Sequence, residues 1–171
     1  FNQYEEARNN CYRHIGRLDD GLKRTVSSLA ELQRNYLLSD YNITIDEGVK
    51  IAKRCSLFGS EKFILEIGKD TYIGMNTIIN GFRAKVIIGS NVSIAQSVNI
   101  MADSGPNASE EMQKFFPLES GPVEIGNHTW IGANSIIMPN VKLGEFCVIA
   151  ANSFVNRSFD AYSVIGGNPA K

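Results

Sequence analysis

From Ile125 to Val155 an aliphatic residue recurs every six positions, at Ile125, Ile131, Ile137, Leu143, Ile149 and Val155. A small or short-branched residue, Thr129, Ser135, Val141, Cys147 or Ser153, stands four after each of the first five. A helix cannot keep a period of six on one face over five repeats. Six is a multiple of the strand period, so extended segments can, and a short fixed period is the signature of a solenoid. The same rule pairs Ile45 with Val49, Ile51 with Cys55, Ile67 with Thr71, Ile73 with Thr77, Ile88 with Val92 and Ile94 with Val98, which makes eleven hexads in all. The fourth place of the hexad holds Asn76, Asn91, Asn134, Asn140 and Asn152, with Gly48, Asp70 and His128 among the rest. These residue types best tolerate positive φ, so the pattern predicts a tight turn after each short strand. Three strand-and-turn units close one triangular coil, and stacked coils pair strand over strand around a narrow core of aliphatic and small side chains. The expected fold class is a β solenoid.

The pattern also divides the chain. Residues 1–40 form an N-terminal arm: Tyr4, Ala7, Cys11, Ile15 and Leu18, then Leu22, Val26, Leu29 and Leu32, have the three- and four-residue spacing of two amphipathic helices. The arm is expected to cap the open end of the solenoid, which spans 41–171. Two short breaks, at Phe58–Ile64 and Asn80–Val86, stretch the step between hexads to ten and nine residues. A third is larger. Residues 101–124 are polar, carry three prolines and keep no hexad, and a long loop leaving a rigid repeat is where function concentrates. After Val155 the hexad is expected to stop in an irregular tail.

With 17 Lys and Arg against 18 Asp and Glu, the 171-residue chain has a net charge of −1 and its charges are interspersed. That balance argues against nucleic acid or an anionic membrane surface as principal partner, and no apolar run is long enough for a membrane span. Of three cysteines, Cys55 and Cys147 hold the small inward place, as apolar core residues of a cytoplasmic, reducing compartment rather than as a disulfide or metal site.

Residues 120–171, SGPVEIGNHTWIGANSIIMPNVKLGEFCVIAANSFVNRSFDAYSVIGGNPAK, resemble the C-terminal half of the acetyl-CoA-dependent sugar and xenobiotic O-acetyltransferases, hexapeptide-repeat proteins that share the WIG, the following rungs and a closing GNPAK. The resemblance implies a left-handed parallel β-helix and a homotrimer with active sites between subunits. It implies acetyl-CoA as acyl donor, no metal, and a sugar hydroxyl, such as one of a bacterial surface polysaccharide, as acceptor. In that family a histidine of the extruded loop takes the hydroxyl proton. Here Pro106 or, with a shift of one, Asn107 falls at that place. Asp103 and His128 are the candidate bases, the first in the loop and the second at a turn place; His14, in the arm, is the other histidine. Asn76, Ser104, Asn107 and Trp130 are candidates for the acceptor. Trp130, the low-walled Ala133 and Ala151, and the basic Arg157 and Lys171 are candidates for acetyl-CoA and its phosphates. The same residues leave two other readings open: an antibiotic-modifying acetyltransferase, or a non-catalytic solenoid that has lost its base. A zinc-dependent carbonic anhydrase on such a prism needs three histidines, and the chain has two.

Overall fold

A computed structural model describes residues 42–171; the helical arm expected over 1–40, with Cys11 and His14, lies outside them. Residues Asn42–Lys171 form one compact unit. Its first coil comprises β1 (Ile43–Ile45), β2 (Lys50–Ile51) and β3 (Ser56–Phe58). The second comprises β4 (Leu65–Ile67), β5 (Tyr72–Ile73) and β6 (Ile78–Asn80), and the third β7 (Val86–Ile88), β8 (Ser93–Ile94) and β9 (Asn99–Met101). A loop with β10 (Asp103–Ser104), a one-turn helix α1 (Glu110–Gln113) and β11 (Glu119–Ser120) then leaves the stack. The fourth coil resumes with β12 (Val123–Ile125), β13 (Trp130–Ile131) and β14 (Ile136–Ile137). The fifth holds β15 (Lys142–Leu143), β16 (Val148–Ile149) and β17 (Phe154–Val155), and a partial sixth ends in β18 (Val164–Ile165).

Every strand of the coils pairs in parallel with the strand one coil away, which builds three sheets: β1-β4-β7-β12-β15, β2-β5-β8-β13-β16-β18 and β3-β6-β9-β14-β17. This is the left-handed β-helix of hexapeptide repeats. Coils four and five repeat every 18 residues, as Trp130 over Val148 shows, whereas the earlier breaks lengthen the step to 22 between Ile43 and Leu65 and to 21 between Leu65 and Val86. Register survives each detour. Val123 lies on Val86 although the whole loop stands between them.

The hexad's inward places make the core. Ile67, Ile73, Ile79, Ile88, Ile94, Ile100, Ile131 and Ile137 are fully buried, each worth about 1.5–3 kcal/mol of burial. The small inward places hold buried hydroxyls that are satisfied across coils: Thr71 Oγ1 donates to the Gly89 carbonyl at 2.9 Å and Ser135 Oγ to the Ala150 carbonyl at 3.0 Å. Cys55 and Cys147 are buried thiols, whose Sγ atoms donate to the Gly74 carbonyl at 3.1 Å and to the Asp160 carbonyl at 3.2 Å. All eleven fourth-place residues turn with positive φ, from Asp70 at 55° to Gly48 at 74°, and they include Arg54, Ser97 and Phe146, residue types that the left-handed region does not favour. The turns stack into edges of the prism. A Cβ on Gly132 would collide with the backbone nitrogen of Ala151 in the coil above, so the coils touch backbone to backbone there.

The tail departs from expectation. The hexad continues past Val155: Phe159 bridges to Leu143, Tyr162 turns at φ 65°, and Ile165 is buried on Ile149. A phenylalanine stands in the aliphatic place and the interval from Val155 is four residues, so the period is hidden rather than absent. Beyond it, Gly167–Lys171 folds back. The Phe154 N–H donates to the Gly167 carbonyl and the Ala170 N–H to the Phe154 carbonyl, both at 2.9 Å. Those bonds cover the outer rim of β17.

Candidate active site

The prism's three edges carry different things. At the first, after β1, β4, β7, β12, β15 and Phe159, stand Gly48, Asp70, Asn91, His128, Phe146 and Tyr162, all with positive φ. The His128 ring stacks on Phe146 with centroids 4.6 Å apart, and Phe146 stacks on Tyr162 at 5.2 Å. His128 is therefore one member of an exposed aromatic ladder on the first edge. The second edge stacks Arg54, Asn76, Ser97, Asn134 and Asn152. All the long departures from the coil lie at the third.

There the loop is anchored by an antiparallel hairpin, Asp103 opposite Ser120 and Ser104 opposite Glu119. The Ala102 N–H donates to the Asn80 carbonyl at 2.8 Å, and the Gly121 N–H to the Ala102 carbonyl at 2.9 Å, so the loop's two roots are tied to each other and to the coil below. Within the loop Ser109 caps α1 by accepting from the Met112 N–H at 3.3 Å, and Gln113 Nε2 donates to the Pro106 carbonyl at 2.9 Å. Met112, Phe115 and Phe116 are exposed at its tip.

Asp103 is only 6% exposed. Its Oδ1 accepts a long hydrogen bond from Asn80 Nδ2, 3.4 Å, and its Oδ2 lies 3.9 Å from Arg83 Nε, beyond hydrogen-bond reach. A buried carboxylate so lightly partnered is uncommon, since buried polar groups are nearly always hydrogen-bonded. Ser104 is half-buried beside it, and Asn107 is exposed in the following turn. Asp103 and His128 occupy different edges, so one chain does not bring the two candidate bases together.

Trp130 projects outward from β13, 56% exposed, between Ser93 and Val148. Ala133 follows at the second edge with Ala151 one coil above it, joined through the Asn152 N–H to the Ala133 carbonyl at 2.9 Å. Asn76 occupies the same edge two coils earlier. Arg157 lies over the Phe159 ring, 5.0 Å from its centroid, and lines a cleft of about 430 Å³ with Lys142, Ser158, Asp160 and Ser163. Lys171 is exposed and exchanges backbone hydrogen bonds with Gly166. On the first sheet's outer face Glu124 accepts from Lys85 Nζ at 2.6 Å, with Lys142 Nζ at 3.7 Å. The Lys85 hydrogen bond is the main reason its carboxyl lies below its ordinary pKa; partial burial opposes it, and the charges of Lys85 and Lys142 reinforce it. Among the described residues no group of three His, Cys, Asp or Glu side chains could hold a metal, and no helix is long and apolar enough to cross a membrane.

The sequence alone did not single out Asn80 or Arg83, the neighbours of Asp103. A signal was present: the break after Ile79 falls at the edge from which the loop leaves one coil later, since Asn80 pairs with Met101.

A family model described as bacterial transferase hexapeptide (six repeats) matches residues 122–157. The chain is 34% identical over 108 residues to galactoside O-acetyltransferase of Escherichia coli K12, a match covering 63% of this chain and 52% of that protein. It is 38% identical over 152 residues to the putative acetyltransferase YJL218W of Saccharomyces cerevisiae, covering 78% and 76%. The solved structure of a galactoside acetyltransferase in complex with coenzyme A superposes with a TM-score of 0.68 at 29% identity, over 83% of this chain and 70% of that one. The chain thus spans about half the length of the E. coli relative and about three quarters of the yeast one.

Proposed function

The chain belongs to the hexapeptide-repeat acetyltransferases, and from that membership we propose that it moves the acetyl group of acetyl-CoA to a sugar hydroxyl, as in a bacterial surface polysaccharide or a related glycan precursor. The observation that carries the reading is Asp103, a buried, under-partnered carboxylate at the root of the extruded loop, three residues before Pro106, where the family's histidine is missing. The acceptor oxygen attacks the thioester carbonyl carbon while its proton passes to Asp103 Oδ2. The C–S bond then breaks, and the departing CoA thiolate takes that proton, returning Asp103 to its starting state. With a reactive thioester, positioning supplies much of the rate, and a carboxylate suffices as proton carrier. Ser104 and Asn107 border the same loop and Asn76 the neighbouring edge, as further contacts for the acceptor.

For the donor, Ala133 and Ala151 keep the outer wall low enough for a pantetheine arm running past Trp130. Arg157 with Lys142 in the 430 Å³ cleft, and Lys171 at the tail, supply cations for the nucleotide phosphates. A homotrimer completes the site. The outward side chains Tyr72, Trp130 and Val164 of the second sheet, the last 80% exposed, and the loop tip with Phe115 at 76% are surfaces that a second copy covers, bringing one chain's loop to the next chain's wall. The cytoplasm, which supplies acetyl-CoA and keeps buried thiols reduced, is the fitting compartment.

Calorimetric titration of acetyl-CoA tests this first. Binding should be weakened by Arg157→Ala and by Lys171→Ala, and in a panel of methyl glycosides Asp103→Asn should lower kcat about 100-fold or more with donor affinity unchanged. No heat at about millimolar acetyl-CoA would sink the enzyme reading in favour of a non-catalytic solenoid. Full activity in Asp103→Asn would move the proton to His128.

A further inference from the structure

Asn80 and Arg83 reach Asp103 from the coil below, and each leaves one thing undone. Asn80 is locked. Its Oδ1 accepts the Phe82 N–H at 3.0 Å, which turns its amide NH₂ towards Asp103 Oδ1 at 3.4 Å, while its carbonyl holds the Ala102 N–H at 2.8 Å. Its amide orientation follows from the Phe82 bond, because a backbone N–H requires an acceptor there. Asp103 Oδ1 thereby has one donor, at 3.4 Å, and Oδ2 is left with no hydrogen-bond donor among the described residues. The Arg83 Nε, 3.9 Å from Oδ2, balances the charge without donating a hydrogen bond. The Arg83 side chain is about half exposed, and its terminal nitrogens meet no carboxylate among the described residues. An acceptor-only oxygen and a donor-only fork thus stand side by side at the mouth of the loop.

The groups that satisfy such a pair are two neighbouring oxygens, of which one donates and the other accepts. We propose that Asp103, Asn80 and Arg83 form a receptor for a vicinal diol, and that this enzyme requires an acceptor oxygen next to the hydroxyl it acetylates. The reacting hydroxyl donates to Asp103 Oδ2, and the adjacent oxygen accepts from the Arg83 guanidinium. Asn80 is a positioning residue that acts through Asp103. Opposite charges on Asp103 and Arg83 cancel, so the pair favours a neutral ring over a free carboxylate or phosphate. The exposed Phe82 ring on the same turn offers an apolar surface for the C–H side of a pyranose. This inference rests on the reading of Asp103 as the proton acceptor of sugar acetylation.

The experiment is thiol release from acetyl-CoA with methyl glycosides of glucose, galactose, mannose and N-acetylglucosamine and with their monodeoxy analogues, using the full chain and its Arg83→Ala, Arg83→Lys, Asn80→Ala and Asp103→Asn variants. With the preferred glycoside, Arg83→Ala should raise the acceptor KM about tenfold, leave the acetyl-CoA KM unchanged, and be partly rescued by lysine. Removing the vicinal hydroxyl should cost the unaltered enzyme a similar factor but cost Arg83→Ala nothing more, because the two changes delete one contact. Asn80→Ala should lower kcat in the unaltered background and have no effect in Asp103→Asn. Independent, multiplying effects of the deoxy analogue and Arg83→Ala would overturn the diol receptor while leaving acetyl transfer intact. Transfer to none of the glycosides would instead overturn the sugar reading on which it stands, and an unimpaired Asp103→Asn would overturn the base.

Discussion

Along the first edge the chain turns the same way six times, through Gly48, Asp70, Asn91, His128, Phe146 and Tyr162, each with positive φ. Along the third it takes a different route in each coil: residues 59–64, then 81–85, then the whole of 102–122, then 138–141 and 156–158. Yet the strands on both sides of the third edge stay in register, Val86 on Leu65 and Val123 on Val86. Two regular edges fix where the next inward aliphatic must return, and the third is free to vary. The candidate chemistry, Asn80, Arg83 and Asp103, sits on the free edge, where a change of loop length leaves the core untouched.

That contrast can be broken most severely from inside. Ile131→Asp buries a charge without a partner in the wall that both regular edges share, and should cost more than about 4 kcal/mol, read as loss of a cooperative thermal transition. Next come matched insertions. A Gly-Ser pair placed after Asn91 should destabilise by about 2–4 kcal/mol in urea, since it throws the following inward residues out of place. The same pair after Lys62, on the free edge, should cost less than about 1 kcal/mol. Equal losses would mean that the third edge is no more tolerant than the first. Asn134→Val puts a β-branched side chain at φ 58°, for an expected loss of about 1–3 kcal/mol. Ser97→Gly, at φ 59°, should be neutral or gain up to about 1 kcal/mol.

The smallest effect is electrostatic. The Glu124 carboxyl lies below its ordinary value of 4.5, chiefly through the Lys85 hydrogen bond, so its contribution is fully present above pH 4.5 and is lost as pH falls through its lower folded value. Because that side chain is 34% exposed, the contribution should be no more than about 1 kcal/mol. Glu124→Gln should flatten that part of the acid-stability curve. An unchanged curve would mean that the pair is fully screened.

The sequence disclosed whatever repeats at short range. The inward aliphatics, the small places and the turn residues with positive φ are each fixed by one hexad. Less regular contacts were harder to read. Asn80 meets Asp103 across 23 residues and a coil boundary, and Phe146 meets His128 across 18, so no local spacing announces either. The sixth coil was hidden by a phenylalanine in the aliphatic place, although Ser163 and Ile165 keep the rule. His128 illustrates the limit. Its turn place and its tolerance of positive φ were legible, whereas the stack on Phe146 depends on how the coils superpose.

The fold-back of Gly167–Lys171 onto Phe154 bears on how the protein associates. A solenoid whose last rung presented a bare strand rim would offer every other copy a template, and chains could join end to end without limit, as in a fibril. By giving the Phe154 N–H and carbonyl partners from its own tail, the chain supplies a stopper for one of the three sheets. Lengthwise growth is discouraged there. Deleting residues 167–171 should therefore appear first as filaments or turbidity rather than as lost turnover.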